Sequence, residues 1–247
     1  MRTVFASDTH LSAERPRQHA EFAALLTRVR HWRADLYLLG DLVEFWPGDD
    51  DDATLHRDLV AQLARLSAAG CRLHVMRGNR DFLLGERFAM ETGAQLLGDY
   101  ATLDLAGERV LLTHGDLLCT LDIQYQAFRR FVRDPANEQQ FMSMPLRERR
   151  RIVAQTREGT QSSMAEKAAD IMDVDDTEVQ RVMREHHATV MVHGHTHRPA
   201  LHHLEINGTP SRRIVLGDWY EANHGQVLVV DDNGFSLRPL AEALALS

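Results

Sequence analysis

Five times along the chain a short β-prone run stops on a cluster of Asp, His, Asn and Gly. The runs are TVFASDTH (3–10), LYLLGD (36–41), LHVMRGN (73–79), RVLLTHGD (109–116) and TVMVHGHTH (189–197). Between the first two, Phe22, Leu25, Leu26 and Val29 recur at helical spacing; between the next two, Leu55, Leu59, Leu63 and Leu66 do the same before Gly70 stops the helix. Strands that alternate with helices predict an α/β fold whose sheets are covered by helices. In such sheets ligands bind where the carboxyl ends of the strands meet, which is where these polar clusters fall.

The rhythm changes twice. After residue 197 come RRIVLGDW (212–219), QVLVVDD (226–232) and FSLRPL (235–240), strands joined by short turns such as DDNG at 231–234. From about 120 to 188 there is no convincing strand. Phe128, Phe131 and Val132, then Ile152 and Val153, then Val179, Val182 and Met183 suggest helices instead. The expectation is a single domain over 1–247 with a helical cap inserted at 120–188, above the strand ends. The DDDD run at 49–52 reads as a solvated loop, because adjacent carboxylates repel without a cation.

The polar ends supply Asp8, His10, Asp41, Asn79, His114, His195 and His197. Carboxylate, amide and imidazole donors suit manganese, iron or zinc, and the lack of thiolate disfavours a structural zinc site. The chain has 14 histidines, an enrichment that itself points to metal, while Cys71 and Cys119 show neither a knuckle nor a disulfide spacing. Seven donors exceed one ion and suit two that share a carboxylate. His193, His195 and His197 alternate, so a strand would aim all three one way. The net charge of −8 argues against nonspecific nucleic-acid binding, and a reducing compartment fits the cysteines. MRTVFASDTH meets Asp8 too early for a signal peptide's apolar run, and no run is long enough to span a membrane.

The motif order DxH, GDxxE, GNR, HGD and GHTH resembles the calcineurin-like metallophosphoesterase superfamily. The resemblance implies a four-layer αββα sandwich with a two-metal site. Carried over by motif, Asp8, His10, Asp41 and His197 would hold one ion, and Asp41, Asn79, His114 and His195 the other, with Asp41 bridging. His193 matches no ligand position and is read as supporting a ligand or as packing. Many phosphatases of this class carry a histidine after the GN asparagine to protonate a leaving alkoxide. Here Arg80 follows Asn79, and a guanidinium cannot act as that acid. A leaving phosphate needs no proton, its second pKa being about 6. Arg80 therefore favours cleavage of a diphosphate, gripping a phosphate bidentately.

GDLVEFWPGDDD (40–51), GNRDFLLGERFA (78–89), HGDLLCTLDIQYQAFR (114–129), IMDV (171–174) and HGHTHRPA (193–200) are similar, more narrowly, to the UDP-2,3-diacylglucosamine diphosphatase family of lipid A biosynthesis. That resemblance implies manganese-dependent hydrolysis of UDP-2,3-diacylglucosamine to UMP and 2,3-diacylglucosamine 1-phosphate (lipid X). It also implies peripheral attachment at the cytoplasmic face of the inner membrane, with no nucleic acid and no obligate protein partner. Catalytic roles would fall to Asp41, Asn79, Arg80 and His195. Substrate contacts would fall to Asn79, Arg80, Asp122, Lys167 and His195, with Thr160 as a hydroxyl contact. Met164 stands where the family often has asparagine, so no contact is carried over there. Phe128, Phe131, Phe141, Met142 and Met144 are either a groove for acyl chains or ordinary core, and RERRRI (147–152) either meets anionic headgroups or is a solvated helix face. Two other functions compete: hydrolysis of a soluble nucleotide, and a non-catalytic scaffold, against which the intact donor set speaks.

Overall fold

Helix α1 (Pro16–Trp32) starts on Pro16, buries Phe22, Leu25, Leu26 and Val29 along one side, and ends where Arg33 turns left-handed. Helix α2 (Thr54–Ala68) buries Leu59, Leu63 and Leu66 in the same manner. Both faces pack on strands β1 (Thr3–Ala6), β2 (Asp35–Leu39) and β3 (Leu73–Met76), which run parallel and alternate with them. This is the expected βαβ pattern. The structure, a computed structural model, describes residues 2–164, 173–220 and 225–246, and side chains at 157–164 are left out of the description.

The remaining described elements complete two sheets. Helix α3 (Glu86–Thr92) leads to β4 (Gln95–Leu97), which extends the parallel run beyond β3. Strands β5 (Tyr100–Leu105) and β6 (Glu108–Thr113) start a second sheet. Helices α4 (Ile123–Val132), α5 (Pro135–Met142), α6 (Leu146–Met164) and α7 (Asp176–Glu185) then precede β7 (Val190–His193). Strands β8 (Ala200–Ile206), β9 (Thr209–Val215), β10 (Gln226–Asp231) and β11 (Gly234–Pro239) and helix α8 (Leu240–Ala245) close the chain. The first sheet has the order β11-β10-β1-β2-β3-β4 and the second β5-β6-β7-β9-β8.

Three apolar layers hold these sheets between helices. Phe22, Leu38, Leu63 and Trp219 fill the layer between the first sheet and α1, α2 and α8. Phe5, Leu39, Leu112 and Val192 fill the space between the sheets. Val179, Val182 and Met183 of α7 cover the far side of the second sheet against Leu111 and Met191. The result is the expected αββα sandwich. Because α7 forms its outer layer, the helices that leave the sheets are α4 to α6.

Three strands carry no clear signal in the sequence. β4 has three residues, and β5 and β8 are edge strands whose side chains are mostly exposed or half-buried. Such strands have no continuous apolar run to betray them. The histidine row also differs from expectation: β7 ends at His193, and His195 and His197 follow in a loop with left-handed φ of 67° and 56°. Their alternation is therefore not strand alternation.

The DDDD run and RERRRI find each other. Asp49 accepts from Trp46 Nε1 at 2.9 Å and from the backbone N–H groups of Gly85 and Phe88 at the start of α3. Asp50 pairs with Arg149, whose guanidinium is buried and also donates to the carbonyl of Pro47. Asp51 is buried against His56 at 2.8 Å and pairs with Arg150, which reaches Asp52 at 2.6 Å. The acidic run is a clasp for α6 rather than a solvated loop, and two of the arginines of RERRRI are engaged in it.

Removing Arg149 leaves the Pro47 carbonyl without its buried donor, which costs about 1–3 kcal/mol. Arg151 is exposed beside Glu148, and a surface pair of this kind contributes at most about 1 kcal/mol. Urea unfolding should therefore show Arg149→Ala destabilised by about 2 kcal/mol and Arg151→Ala within about 0.5 kcal/mol of the parent. Equal losses would show that the clasp is not what anchors α6.

Candidate metal centre

Each candidate donor sits just past a strand end, and five of the seven have unusual backbone themselves. Among the described residues nine other than glycine have left-handed φ, and five of them are Asp8, His10, Asp41, His195 and His197. That conformation is costly for side chains with a Cβ, so its concentration here marks a site over-determined by its surroundings. The loops interlock through backbone bonds. Asp8 N donates to Gly40 O, His10 N to Asp41 O, and Gly194 N to His114 O, all within 2.9–3.1 Å. A Cβ on Gly78 would overlap Asp41 Oδ1, and one on Gly194 would overlap Asp8 Oδ2, so glycine is required at both approaches.

The donor atoms fall into two groups. In the first, His197 Nε2 lies 3.3 Å from Asp8 Oδ1 and 3.2 Å from His10 Nε2, and His10 Nε2 lies 3.8 Å from Asp41 Oδ2. In the second, Asn79 Oδ1 lies 3.0 Å from His114 Nε2 and 2.9 Å from His195 Nδ1, and His114 Nε2 lies 3.7 Å from Asp41 Oδ1. The two oxygens of Asp41 thus face different groups. All seven predicted donors are brought together. Asp8 Oδ1 is buried and accepts no hydrogen bond among the described residues, an orphaned acceptor that a cation would satisfy. His114 donates from Nδ1 to the Leu39 carbonyl at 2.8 Å, which leaves its Nε2 lone pair facing the group.

The electrostatics describe a cluster that lacks positive charge. Burial pushes Asp41 up to about 7; His114 opposes this, while the Asp81 and Asp8 carboxylates add to it. Burial works against a protonated His197, yet the Asp8 carboxylate, with Asp218 and Asp41 beyond it, raises it to about 8. Burial and neighbouring His114 take His195 down to about 4. His193, by contrast, is fully buried, its Nδ1 facing Gly194 O at 2.9 Å and its Nε2 facing Arg213 at 3.2 Å. It packs and supports the loop without joining either group.

Arg80 binds Asp41 Oδ1 through its backbone N–H at 2.8 Å, and it lines a cavity of about 490 Å³ beside Asn79. Phe128, Phe131 and Phe141 line the same cavity, whereas Met142 and Met144 do not. Met142 instead meets Arg149 of the clasp through its sulfur. Asp122 caps α4 by accepting from Tyr125 N at 3.0 Å. Thr160 lies on α6, where side chains are not described, and Lys167 lies outside the described residues.

Several supporting residues escaped the sequence reading. Asp81 is fully buried and accepts from the backbone N–H groups of Gly78, Asp41 and Leu42, tying two donor loops together. Asp116 accepts from Tyr125 Oη and Arg129 Nε, each at 2.7 Å. Tyr220 stacks on His10 with ring centres 4.6 Å apart, under the Arg15 guanidinium. Asp81 and Asp116 stand inside the GNRD and HGD motifs, so their place beside a donor was a usable signal; Tyr220 had none.

A sequence model of the calcineurin-like phosphoesterase family matches residues 1–199. UDP-2,3-diacylglucosamine hydrolase of Aeromonas hydrophila is 47% identical over 229 residues, covering 93% of this chain and 94% of that protein. The enzymes of the same name from Cellvibrio japonicus and Pseudomonas aeruginosa are 45% and 43% identical, covering 96% and 97% of this chain and 98% and 99% of their own. Among solved structures, an archaeal phosphodiesterase matches with a TM-score of 0.50 at 12% identity, over 96% of this chain and 98% of that one. That likeness shows the fold.

Asp41 and His197, raised to about 7 and about 8, hold protons in acid and cannot then act as ligands. Metal uptake must therefore release protons, and affinity must rise as pH climbs through this range. Calorimetric titration of the metal-free protein with Mn²⁺, in buffers of different ionisation enthalpy, should show release near pH 6 that fades above pH 8. Affinity that is flat across that interval contradicts the cluster's electrostatics.

Proposed function

The chain belongs to the calcineurin-like phosphoesterases and, within them, to the family of the UDP-2,3-diacylglucosamine hydrolases, and from that membership we propose the reaction it performs. It hydrolyses the diphosphate of UDP-2,3-diacylglucosamine to UMP and 2,3-diacylglucosamine 1-phosphate (lipid X), a step of lipid A biosynthesis. The observation that carries this reading is one shared wall: Asn79 and Arg80 line the same cavity as Phe128, Phe131 and Phe141. A phosphate held at the donor groups thus adjoins an apolar chamber suited to acyl chains.

Water attacks the α-phosphorus, the bond from that phosphorus to the bridging oxygen breaks, and the bridging oxygen leaves with the sugar phosphate. Asp8, His10, Asp41 and His197 would hold one divalent ion and Asp41, Asn79, His114 and His195 the second, with manganese as the metal. When bound, such a pair supplies Lewis-acid polarisation of phosphate oxygens and lowers the pKa of water. The chain's own part is positional. Asp41 is fixed by Arg80 N, and Arg80 offers its guanidinium to the departing phosphate, which needs no proton. Asn79 and His195, 2.9 Å apart, face the reacting phosphate from the opposite loops.

The helices α4 to α6, read as a cap, bind the lipid half. Asp122 would accept from sugar or amide groups through its carboxylate, Lys167 would hold the sugar phosphate as a point charge, and Thr160 would add a hydroxyl contact in the cap. The chain would attach peripherally at the cytoplasmic face of the inner membrane, and what supports contact with a lipid surface is the apolar Ile123 at the start of α4, 74% exposed. Among the described residues no helix is long and apolar enough to cross a membrane.

Two experiments test this. Incubation with Mn²⁺ and UDP-2,3-diacylglucosamine in ¹⁸O-water should release UMP carrying the label, since the new bond forms at the uridylyl phosphorus; label confined to the sugar phosphate refutes the direction of attack. Asp41→Ala removes a carboxylate from both donor groups and should lower turnover by at least about a hundredfold at limiting Mn²⁺. His193→Ala, which touches neither group, should cost far less activity, and the reverse order would refute the shared role of Asp41.

A further inference from the structure

Tyr125, Arg129 and Arg133 fall at i, i+4 and i+8, one stripe along α4 and its C-cap. The stripe reaches both loops of the second donor group. At one end Tyr125 Oη and Arg129 Nε each donate to Asp116 at 2.7 Å, two residues past His114, and the Tyr125 ring lies 5.8 Å from that of His195. At the other end Arg133 donates to the carbonyl of Gly78 at 2.8 Å, immediately before Asn79. Asp99 joins the two arginines, 2.9 Å from Arg129 and 3.2 Å from Arg133. It stands between β4 and β5, where the chain crosses from one sheet to the other. Arg129 is 8% exposed, so its fork is committed to these carboxylates.

We propose that this stripe, with Asp99, is a brace that sets the spacing of the Asn79 loop against the His114 loop, making Arg129 and Arg133 positioning residues for the second ion. A peptide carbonyl cannot move without its neighbours, so holding Gly78 O holds Asn79 in register with His114 and His195. Asp8 and His10, which belong to the first donor group with Asp41 and His197, hang on another loop and are held by the Gly40 and Asp41 backbone rather than by the stripe. Since the same helix lines the cavity through Tyr125 and Phe128, the brace also makes second-ion affinity sensitive to how α4 sits. The inference rests on the two-ion reading above.

The test titrates metal-free protein with Mn²⁺ alone, followed by electron paramagnetic resonance, for the parent, Arg133→Ala and Asp99→Ala. Asp99 is 43% exposed and does not itself line the cavity, so its variant removes no atom of the substrate wall. Outer contacts to a ligand loop are worth about tenfold or more in metal affinity. Both variants should bind the first ion as the parent does and the second about tenfold more weakly, with the spin-coupled pair spectrum giving way to that of a single ion. In Asp99→Ala, kcat at limiting Mn²⁺ should fall while KM for the lipid nucleotide stays within about twofold, and excess Mn²⁺ should restore it. A parent that binds one ion overturns the two-ion reading itself. A parent that binds two, with both variants binding two equally tightly, overturns the brace alone.

Discussion

The approach of Gly78 to Asp41 is the constraint on which the rest of this molecule depends. A buried carboxylate must serve two donor groups, so its two oxygens have to point apart, and each must be held from behind. Arg80 N holds Oδ1, and Asp81 draws the backbones of Gly78, Asp41 and Leu42 onto one side chain. No side chain fits between the loops at Gly78. The parallel pairing of β1, β2 and β3 serves that contact, because their carboxyl ends deliver Asp8, Asp41 and Asn79 to one edge. The second sheet brings His114, His195 and His197 from the far side of the apolar layer.

Much of this was legible in the sequence, for a physical reason. The strands that carry donors are buried on both faces, so their apolar runs are continuous, and their polar ends cannot be mistaken for core. Asp8, Asp41, Asn79 and His114 stand out at that break. What stayed hidden lacks such a break. β5 and β8 lie at sheet edges and alternate weakly, and β4 is too short for any period to register. In the histidine row the backbone departs from the strand expected: after His193 the chain leaves the strand, and left-handed turns, not pleating, aim His195 and His197.

Charge was the other blind spot. Four adjacent aspartates read as a solvated loop, and the arginine cluster of RERRRI (147–152) as either a headgroup contact or a solvated helix face, because nothing local says where their partners are. In the folded chain Asp50, Asp51 and Asp52 meet Arg149 and Arg150, and the acidic loop becomes the seat of α6. The same holds for Asp99, whose partners Arg129 and Arg133 come from α4 and its C-cap. Partners that distant in sequence are set by topology, which a local pattern cannot reach.

The five donors with left-handed backbone have a consequence for the lifetime of the fold. Strained φ angles and crowded carboxylates raise the energy of the bare site, and any cation that binds the folded chain but not the unfolded one offsets that cost by mass action. A metal held by donors from both sheets would then help to keep them in register as well as supply chemistry. A cell short of the ion would hold less of this protein, and not merely a slower form of it.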